Sequence, residues 1–501
     1  MSGAPAAGTI TAARPTVEAA PAGAPAAPKR PRVFWPELDV IRGIAAVTMI
    51  FSHVGAGLFG NAEQTFSDAT GLPTGSALLQ LCWYGGVAPV LFFFVTGLGY
   101  GVKGPVTPGR SGSCWRGQGF GDVVTKAAIL FAADALMWLP GRHAFGLDFF
   151  GFIGLSMLVL WVIRALPLSV FFAVALAGGV MALRFAFAPL AMRALGPEHA
   201  DTVAQLDRLF GNDQIDSVSF NPGPWLVIPL AGFVLGRGLA WLQQRGAARG
   251  SGAWRMPTAV VLTVLGGAGV VGSYFFSANG GTHFYRFGVL SLPYLVGGTA
   301  LCVLLLGVLL ARYGQGADRL GRVGGLGWLS LRGIAAFLVV PLHFMAIHLW
   351  RGVRGGPIDA PGPWDVEAWA WMLLLPVLCL WAAPKLAEVY RHVCGPDRKR
   401  PERWTVVSTP ALLWSMWVAV VVATAALGVV LYQTGDRGWV TIVARSVGQL
   451  ALCGLLILPL PGTAAARRAR RTPAAGATAG TPQPPLQETG STAVAARGSA
   501  G

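Results

Sequence analysis

The sequence predicts an all-α, polytopic integral membrane protein, a helical bundle with 10 to 12 transmembrane helices and disordered tails. Three observations predict this fold class. Hydrophobic residues make up 54% of the 501 residues and charged residues only 12%, against about a quarter charged in soluble proteins. Mean hydropathy is +0.57. Apolar stretches of about 20 residues, the length that spans a bilayer, recur about twelve times.

The chain divides into one membrane domain, residues 36–462, between two tails. Residues 1–35 and 463–501 consist largely of Ala, Pro and Gly, with few large apolar residues. Neither tail can bury a hydrophobic core, so both are expected to be disordered. The N-terminal tail lacks the basic start and apolar run of a cleaved signal peptide, so the first transmembrane helix is expected to direct insertion.

The apolar stretches define twelve predicted spans. They lie at residues 40–59, 79–102, 123–140, 147–163, 168–188, 224–243, 257–277, 288–311, 326–350, 367–390, 409–432 and 439–460. If the N-terminus is cytoplasmic, 24 of the 38 Lys and Arg residues fall in inner tails and loops and 7 in outer loops. This asymmetry follows the positive-inside rule, and it predicts a multi-pass cell-membrane protein with both termini in the cytoplasm. Topology therefore explains the net charge of +16, and no nucleic-acid partner is expected.

Two predicted outer loops differ from ordinary connections. The first, from Gly60 to Ser76, contains no Lys or Arg, and the long one runs from about Pro189 to Gly223. The acidic residues of the long loop are Glu198, Asp201, Asp207, Asp213 and Asp216. A loop of this length is more often a lid or binding loop than a plain connection. A solvated linker is the alternative.

The first predicted span carries a stripe of polar residues. Asp39 lies at its start, and Arg42 and His53 follow inside it. The spacings of three and eleven residues place all three on nearly one helical face. Ionisable residues are costly inside a bilayer, so the stripe is a candidate functional site. The alternative is structural, with an interface salt bridge between Asp39 and Arg42 and an interhelical hydrogen bond from His53.

The ninth predicted span repeats this pattern. The run Arg42-Gly43-Ile44-Ala45-Ala46, with His53 eleven residues after the arginine, is matched by Arg332-Gly333-Ile334-Ala335-Ala336 with His343. A duplicated segment would place both histidines at similar depth, whereas chance similarity between helices rich in Ala and Gly is the alternative. The second copy lacks an acid, since Leu329 matches Asp39.

Asp134 is a lone carboxylate in the third predicted span, where it must find a cation or a histidine or become protonated. It is a candidate to orient His53 as an acid orients a general base. A packing hydrogen bond is the alternative. No metal site is expected, because His343 and His348 are five residues apart and lie on different faces, and the six cysteines show no paired spacing.

The first span reads Pro36-Glu37-Leu38-Asp39-Val40-Ile41-Arg42-Gly43-Ile44-Ala45-Ala46 and continues to His53. This segment resembles the first membrane helix of the transmembrane acyltransferases, the superfamily of the acyltransferase-3 proteins and the heparan-alpha-glucosaminide N-acetyltransferase-like proteins. Three further segments are similar to the second branch: Val87 to Gly97, Phe152 to Ser156, and Pro222-Gly223-Pro224-Trp225 leading to Leu235-Gly236-Arg237. The lysosomal N-acetyltransferase has an asparagine where this chain has His53, which favours acyltransferase-3-type chemistry.

The resemblance implies transfer of an acyl group, usually acetyl from cytoplasmic acetyl-CoA, to a hydroxyl or amine of a carbohydrate or lipid-linked acceptor. It also implies that His53 is catalytic. A neutral imidazole there is expected to take the acceptor's proton once a carboxylate such as Asp39 or Asp134 fixes its tautomer, and transient acylation of the histidine is equally open. The candidate catalytic residues are His53, Asp39, Arg42, Asp134 and His343.

The donor is a polyanion, so it is expected to dock among cytoplasmic basic residues, where arginine offers two parallel hydrogen bonds to a phosphate. The candidates are Arg42, Lys103, Arg110, Arg116, Lys126 and Arg164. Topology determination is the alternative for each of them. Trp225, with Asn221 shortly before it, is a candidate to bind the acceptor by stacking on a sugar. An interfacial tryptophan belt is the alternative for Trp225.

Glycine is abundant, with 68 residues that include Gly97, Gly99 and Gly101. Small residues allow transmembrane helices to approach closely, so these glycines are expected to lie at helix–helix contacts.

Two other classes of function remain open. Twelve spans with both termini inside is the commonest plan of secondary transporters. However, the two copies of the Arg-Gly motif start 290 residues apart, so they do not divide the chain into two halves of six spans each. A non-catalytic scaffold with an acyltransferase fold is the third reading.

Overall fold

Helices form the regular structure of the membrane domain. The computed structural model describes residues 35–58, 87–104, 118–143, 146–207, 219–248, 253–280, 292–312, 327–331, 333–358, 365–394 and 410–457. The predictions for the tails, except residue 35, and for the loop from Gly60 to Ser76 lie outside these residues.

Thirteen helices of eight residues or more fall within the described segments. They are α1 (Pro36–Leu58), α2 (Ala88–Gly101), α3 (Gln118–Trp138), α4 (Phe149–Ala165), α5 (Ser169–Leu195), α6 (Ala200–Asp207), α7 (Val227–Ala248), α8 (Arg255–Gly280), α9 (Leu292–Arg312), α10 (Ala335–Arg354), α11 (Val366–Cys394), α12 (Pro410–Thr434) and α13 (Trp439–Ile457). Ten segments are long and apolar enough to cross a membrane, and α2 and α4 are shorter apolar helices. A polytopic helical fold, of the kind that multi-pass membrane proteins have, is thereby confirmed.

The predicted long loop from Pro189 to Gly223 is largely helical. Helix α5 continues through Pro189 to Leu195 and is followed by a 3-10 turn and α6. The residues between Phe185 and Leu195 are mostly Ala, Leu and Met, which are good helix formers, and they extend the helix beyond the apolar stretch. The prediction of a long loop is therefore wrong up to Asp207, where the chain is helical. Asp213 and Asp216 lie outside the described residues.

The second copy of the Arg-Gly motif is not one continuous helix with His343. A 3-10 turn occupies Gly327–Leu329, and α10 begins only at Ala335. Gly333 has a φ of +56°, a left-handed conformation that glycine adopts at low cost and that separates the motif from the helix. Arg332 itself lies outside the described residues. The stripe predicted for the ninth span is therefore interrupted before His343.

The turn before α10 packs on the first copy of the motif. The backbone N–H of Leu331 donates a 3.0 Å hydrogen bond to the carbonyl oxygen of Asp39. A Cβ at Gly43 would overlap the carbonyl oxygen of Leu329, so this glycine permits the close approach. The glycine of the Arg-Gly motif in α1 thus has a packing role.

The contacts between helix ends define two sides of the bundle. We use "near side" for the side where α1 begins and "far side" for the side where it ends. Gly99, at the end of α2, lies close to Leu38 and Arg42 near the start of α1. Gly57, at the end of α1, lies close to His348 in the second half of α10. Helix α2 therefore ends on the near side, and α10 runs towards the far side beside α1.

Glycines hold α2 against α7. A Cβ at Gly97 would overlap the carbonyl oxygen of Pro229, and a Cβ at Gly101 would overlap that of Phe233. Gly232 and Gly236 face back towards the α2 backbone in the same way. Both helices thus use a small-xxx-small pattern for close packing. The predicted role in helix–helix contacts is confirmed for Gly97 and Gly101. A Cβ at Gly99 would instead lie 3.7 Å from Nη2 of Arg42, an ordinary contact distance.

Candidate active site

The histidines of the two motif copies, His53 on α1 and His343 on α10, contact each other. Nδ1 of His53 lies 2.7 Å from Nε2 of His343, and the two rings are nearly parallel, at 7°. Nδ1 of His343 lies 2.7 Å from the carbonyl oxygen of Val339, one turn earlier in α10. The prediction that both histidines lie at similar depth agrees with this contact.

The hydrogen-bond partners assign a tautomer to each ring. A carbonyl oxygen only accepts, so Nδ1 of His343 donates to Val339. Nε2 of a neutral His343 must then accept, and Nδ1 of His53 donates to it. Nε2 of His53 is then the nitrogen that carries the lone pair, and among the described residues it has no hydrogen-bond partner. This is the arrangement that a general base requires.

His53 lines a cavity of about 110 Å³ enclosed by α1 to α4, α10 and the segment before α7. Most of the wall is apolar or aromatic, as in small-molecule sites generally. The polar and charged side chains in the wall are those of Ser52, His53, Asp134, Asp148 and Ser219. The cavity lies on the far side, since His53 is close to the end of α1.

Asp134 lines this cavity, but it is held by α4 and not by His53. Its Oδ2 accepts a 2.9 Å hydrogen bond from the backbone N–H of Asp148, which is the N-cap residue of α4. A Cβ at Gly151 would overlap Oδ2, so this glycine lets the carboxylate approach the helix start. Of the two roles left open for Asp134, the structure shows the packing hydrogen bond.

Asp39 and Arg42 lie apart from His53. Arg42 forms an ion pair with Asp39 one turn away on α1, and the neighbouring buried Glu37 pairs with Arg255 of α8. Eleven residues of helical rise separate Arg42 from His53 by about 16 Å. The prediction that a carboxylate fixes the His53 tautomer is therefore corrected: Nδ1 of His53 is taken by His343, which does not leave it free for Asp39 or Asp134.

Basic side chains gather on the near side, around the end of α2. We use "near-side basic cluster" for Arg42, Lys103, Lys126, Arg164 and Arg237. The Lys103 ammonium lies 4.8 Å from the centroid of the Tyr100 ring, and Arg164 donates to the carbonyl oxygen of Gly104. Lys126 is paired with Asp122 at 2.7 Å. Four predicted donor-binding residues are thus neighbours, whereas Arg110 and Arg116 lie outside the described residues.

The cluster carries an excess of positive charge. Desolvation by the surrounding protein, together with the charges of Arg164, Lys126 and Arg42, lowers the pKa of Lys103 to about 8. Asp122 opposes this effect. The Lys103 side chain nevertheless keeps accessible surface. A polyanion bound here would relieve the repulsion among these cations.

The ring of Trp225 is not exposed for stacking on a sugar. Its side chain is only 5% exposed, and the rings of Phe93, Phe220 and Tyr294 meet it edge-on at centroid distances of 4.9 to 6.1 Å. Asn221 is also buried, at 1% exposure. Both residues belong to the core beside the cavity, because the helical turn Pro222–Trp225 folds inward against α2 and α9.

Sequence reasoning missed several residues of the site. Asp148 caps α4 and accepts a 3.0 Å hydrogen bond from Ser219, and an aspartate directly before an apolar run is a helix-start signal that would have indicated it. Arg237 of the near-side basic cluster donates to Ser169 at 3.3 Å, and it ends the Leu235-Gly236-Arg237 segment. Phe344 lies between the two histidines and α13 and has no sequence signal of its own.

Comparisons of the chain with models of protein families, with curated proteins and with solved structures found no match. Among the described residues, no group of three His, Cys, Asp or Glu side chains is placed to hold a metal ion. Support for a function therefore comes from the residues and their geometry.

Proposed function

We propose that this protein is an integral-membrane acyltransferase that moves an acyl group, in the simplest case acetyl, from cytoplasmic acyl-CoA to a hydroxyl or amine of a carbohydrate or envelope-linked acceptor. The observation that carries the proposal is that His53 lines a cavity and that His343 sets its tautomer, so that Nε2 of His53 is the basic nitrogen. The positive-inside rule supports a cytoplasmic near side, and in that orientation the cavity is at the outer side of the bilayer.

The near-side basic cluster fits the donor. Arginine and lysine side chains with surplus positive charge suit the phosphates of CoA, and Arg42, Lys103, Arg164 and Arg237 would hold them. Helix α1 carries both Arg42 and His53, about 16 Å apart by helical rise. A donor held at the near side must therefore extend its thioester into the bundle to reach His53.

In the proposed reaction His53 acts as the general base. Nε2 accepts the proton of the acceptor hydroxyl while the acceptor oxygen attacks the thioester carbonyl carbon. The new C–O bond forms, the C–S bond breaks, and the proton passes from Nε2 to the departing thiolate, which leaves as the CoA thiol. His343 keeps the Nδ1 proton of His53 in place throughout, so Nε2 remains the basic nitrogen. Transient acylation of His53 would use the same nitrogen.

The proposal is tested in vesicles that contain the purified protein, with labelled acetyl-CoA and an envelope extract as the source of acceptors. We expect labelled product and free CoA thiol to appear together in equal amounts. Solute uptake without any release of CoA thiol would instead support the secondary transporter that the sequence left open.

Replacement of His343 tests its positioning role. His343→Ala removes the acceptor for the Nδ1 proton of His53, so we expect kcat to fall by roughly ten- to a hundredfold. His343→Gln can still accept that hydrogen bond through its side-chain oxygen, and it should recover part of the lost kcat with little change in KM. Equal activity of the Ala and Gln variants would contradict a role through the hydrogen bond.

The pKa of Lys103 predicts a pH dependence for donor binding. Lys103 is charged below about pH 8 and neutral above it, so the affinity for CoA should fall as the pH rises from 7 to 9. The phosphates of CoA are already ionised at pH 7 and contribute no change in this range. Lys103→Arg stays charged and should bind CoA with a nearly flat profile. Titration calorimetry of both proteins makes the comparison, and parallel slopes would refute the assignment.

A further inference from the structure

Arg445 is a cation inside α13 that the proposed reaction does not use. Its Cζ lies 5.6 Å from the centroid of the Phe344 ring on α10. Within the described part of the chain its guanidinium makes no hydrogen bond or ion pair, and its Nε is buried without a partner. The residue as a whole is only partly buried. An arginine in a membrane helix is costly and normally finds an anion, so this side chain needs an explanation.

The acids nearest to Arg445 are engaged elsewhere. Asp148 and Asp436 attract it electrostatically. However, Asp148 accepts hydrogen bonds from the backbone of Phe149 and from Ser219, and Asp436 accepts one from the backbone of Gly438. Among the described residues, neither carboxylate makes a hydrogen bond or an ion pair with the guanidinium, although both attract it.

One histidine and one further arginine of α10 lie near Arg445. His348 on α10 interacts with Arg445 and also with Arg351, and Arg351 donates to the carbonyl oxygen of Gly57 at 3.2 Å. The Phe344 ring stacks on that of His348 at a centroid distance of 6.2 Å. Arg351 is thus engaged by a backbone carbonyl, and among the described residues the Arg445 guanidinium is the cation here without a hydrogen-bonded acceptor.

Arg445 lies next to the reacting site without being part of it. The Phe344 ring that it contacts also lies 4.5 Å from the ring of His53 and 4.5 Å from that of His343. Phe344 lines the cavity, whereas Arg445 does not, and the described cavity wall holds no Lys or Arg. The Phe344 ring thus lies between Arg445 and the two histidines, so Arg445 lies beside the cavity that His53 lines.

We propose that Arg445 binds an anionic oxygen group, a carboxylate or a phosphate, on the acceptor whose hydroxyl or amine reaches His53. The planar guanidinium suits both groups, because it offers two parallel hydrogen bonds. The link to an acceptor rests on the proposed acyltransferase function, whereas the anion site itself does not. The acceptor is then an acidic or phosphorylated molecule, and a neutral sugar lacks the group that Arg445 recognises.

The experiment measures the thermal stability of the purified protein in detergent, at constant ionic strength, with increasing glucuronate, glucose 6-phosphate or glucose. A ligand that binds the folded state raises Tm with its concentration. We expect glucuronate or glucose 6-phosphate to raise Tm well below the concentration at which glucose does, and the two acids distinguish a carboxylate site from a phosphate site. Arg445→Gln should weaken binding of the acid tenfold or more.

Arg245→Gln is the matched control. Arg245 is also an arginine on an apolar helix beside an aromatic ring, with its Cζ 3.9 Å from the centroid of Trp241, and its replacement should leave the affinity for the acid unchanged. Arg445→Lys keeps the positive charge but loses the two parallel N–H donors of the guanidinium. This variant should therefore bind the acid more weakly than the intact protein and more tightly than Arg445→Gln. If Arg445→Gln does not insert into the membrane, Arg445→Lys alone tests the role of the guanidinium.

Equal responses to glucose and to both acids in the intact protein would overturn the proposal, as would an unchanged affinity in Arg445→Gln and Arg445→Lys. Release of CoA thiol in the vesicle assay, measured separately, reports on the acyltransferase function. Binding of the acid that depends on Arg445, without thiol release, would leave the anion site standing and refute the function. Release of CoA thiol with neutral acceptors alone would support the acyltransferase function and refute the anion site.

Discussion

His53→Ala is expected to abolish acyl transfer while leaving insertion and stability close to those of the intact protein. The substitution removes the nitrogen that accepts the acceptor's proton, and the loss of a general base costs about 10²- to 10⁴-fold in rate. His53 borders a cavity, its side chain makes one hydrogen bond within the described part of the chain, to His343, and alanine favours the helix. Production of free CoA thiol and labelled product in vesicles gives the rate.

Two further variants separate chemistry from packing. His53→Gln can still donate to Nε2 of His343 but offers no basic nitrogen, so it should be as inactive as His53→Ala. His199→Ala replaces an exposed histidine of the turn between α5 and α6, away from the cavity, and should have full activity. Full turnover by His53→Ala or His53→Gln would exclude the mechanism proposed above.

Gly97→Ala should be the most destabilising single-methyl substitution in α2. Its Cβ would overlap the carbonyl oxygen of Pro229, which is backbone of α7 and cannot rotate away. The two helices would have to separate, and the cost exceeds the roughly 1–3 kcal/mol of ordinary overpacking. We expect a large fall in Tm and a low yield of folded protein, both measurable by size-exclusion chromatography and thermal unfolding in detergent.

Gly99→Ala is the matched control for this prediction. It adds the same methyl group to the same helix two residues away, where the nearest atom, Nη2 of Arg42, would be 3.7 Å from the Cβ. This is an ordinary contact distance, so we expect Tm to stay within a few degrees of the intact protein. Equal Tm values for the two variants would show that the α2–α7 contact does not depend on glycine.

The helices could be predicted because the signal for a transmembrane helix is local. About 20 apolar residues must satisfy their own backbone hydrogen bonds inside a bilayer, so the length and hydropathy of each stretch are sufficient. Boundaries failed where helix propensity or a glycine conformation outweighed hydropathy. Helix α5 runs past its apolar stretch to Leu195, and α10 starts late, after Gly333.

The site could be predicted only in part, because its contacts join residues far apart in the chain. The spacing of eleven residues in both motif copies indicated His53 and His343, but the carboxylate expected to orient His53 is replaced by His343 itself. Asp39 and Arg42 share a helix with His53, yet they pair with each other at the opposite end of α1. Trp225 was expected to meet a ligand and is instead buried among aromatic rings.

Length, apolar content and charge asymmetry by themselves determined that this chain forms a polytopic helical protein, and the repeated motif determined which histidines to examine. Only the tertiary structure decided that those histidines form a pair and that His53 lines a cavity. It also decided that Arg445 lies nearby without an ion-pair partner among the described residues. The reason is physical. Hydropathy and helical period act along a single stretch of chain, whereas a tautomer, a cavity and an unpaired charge are set by which helices pack together.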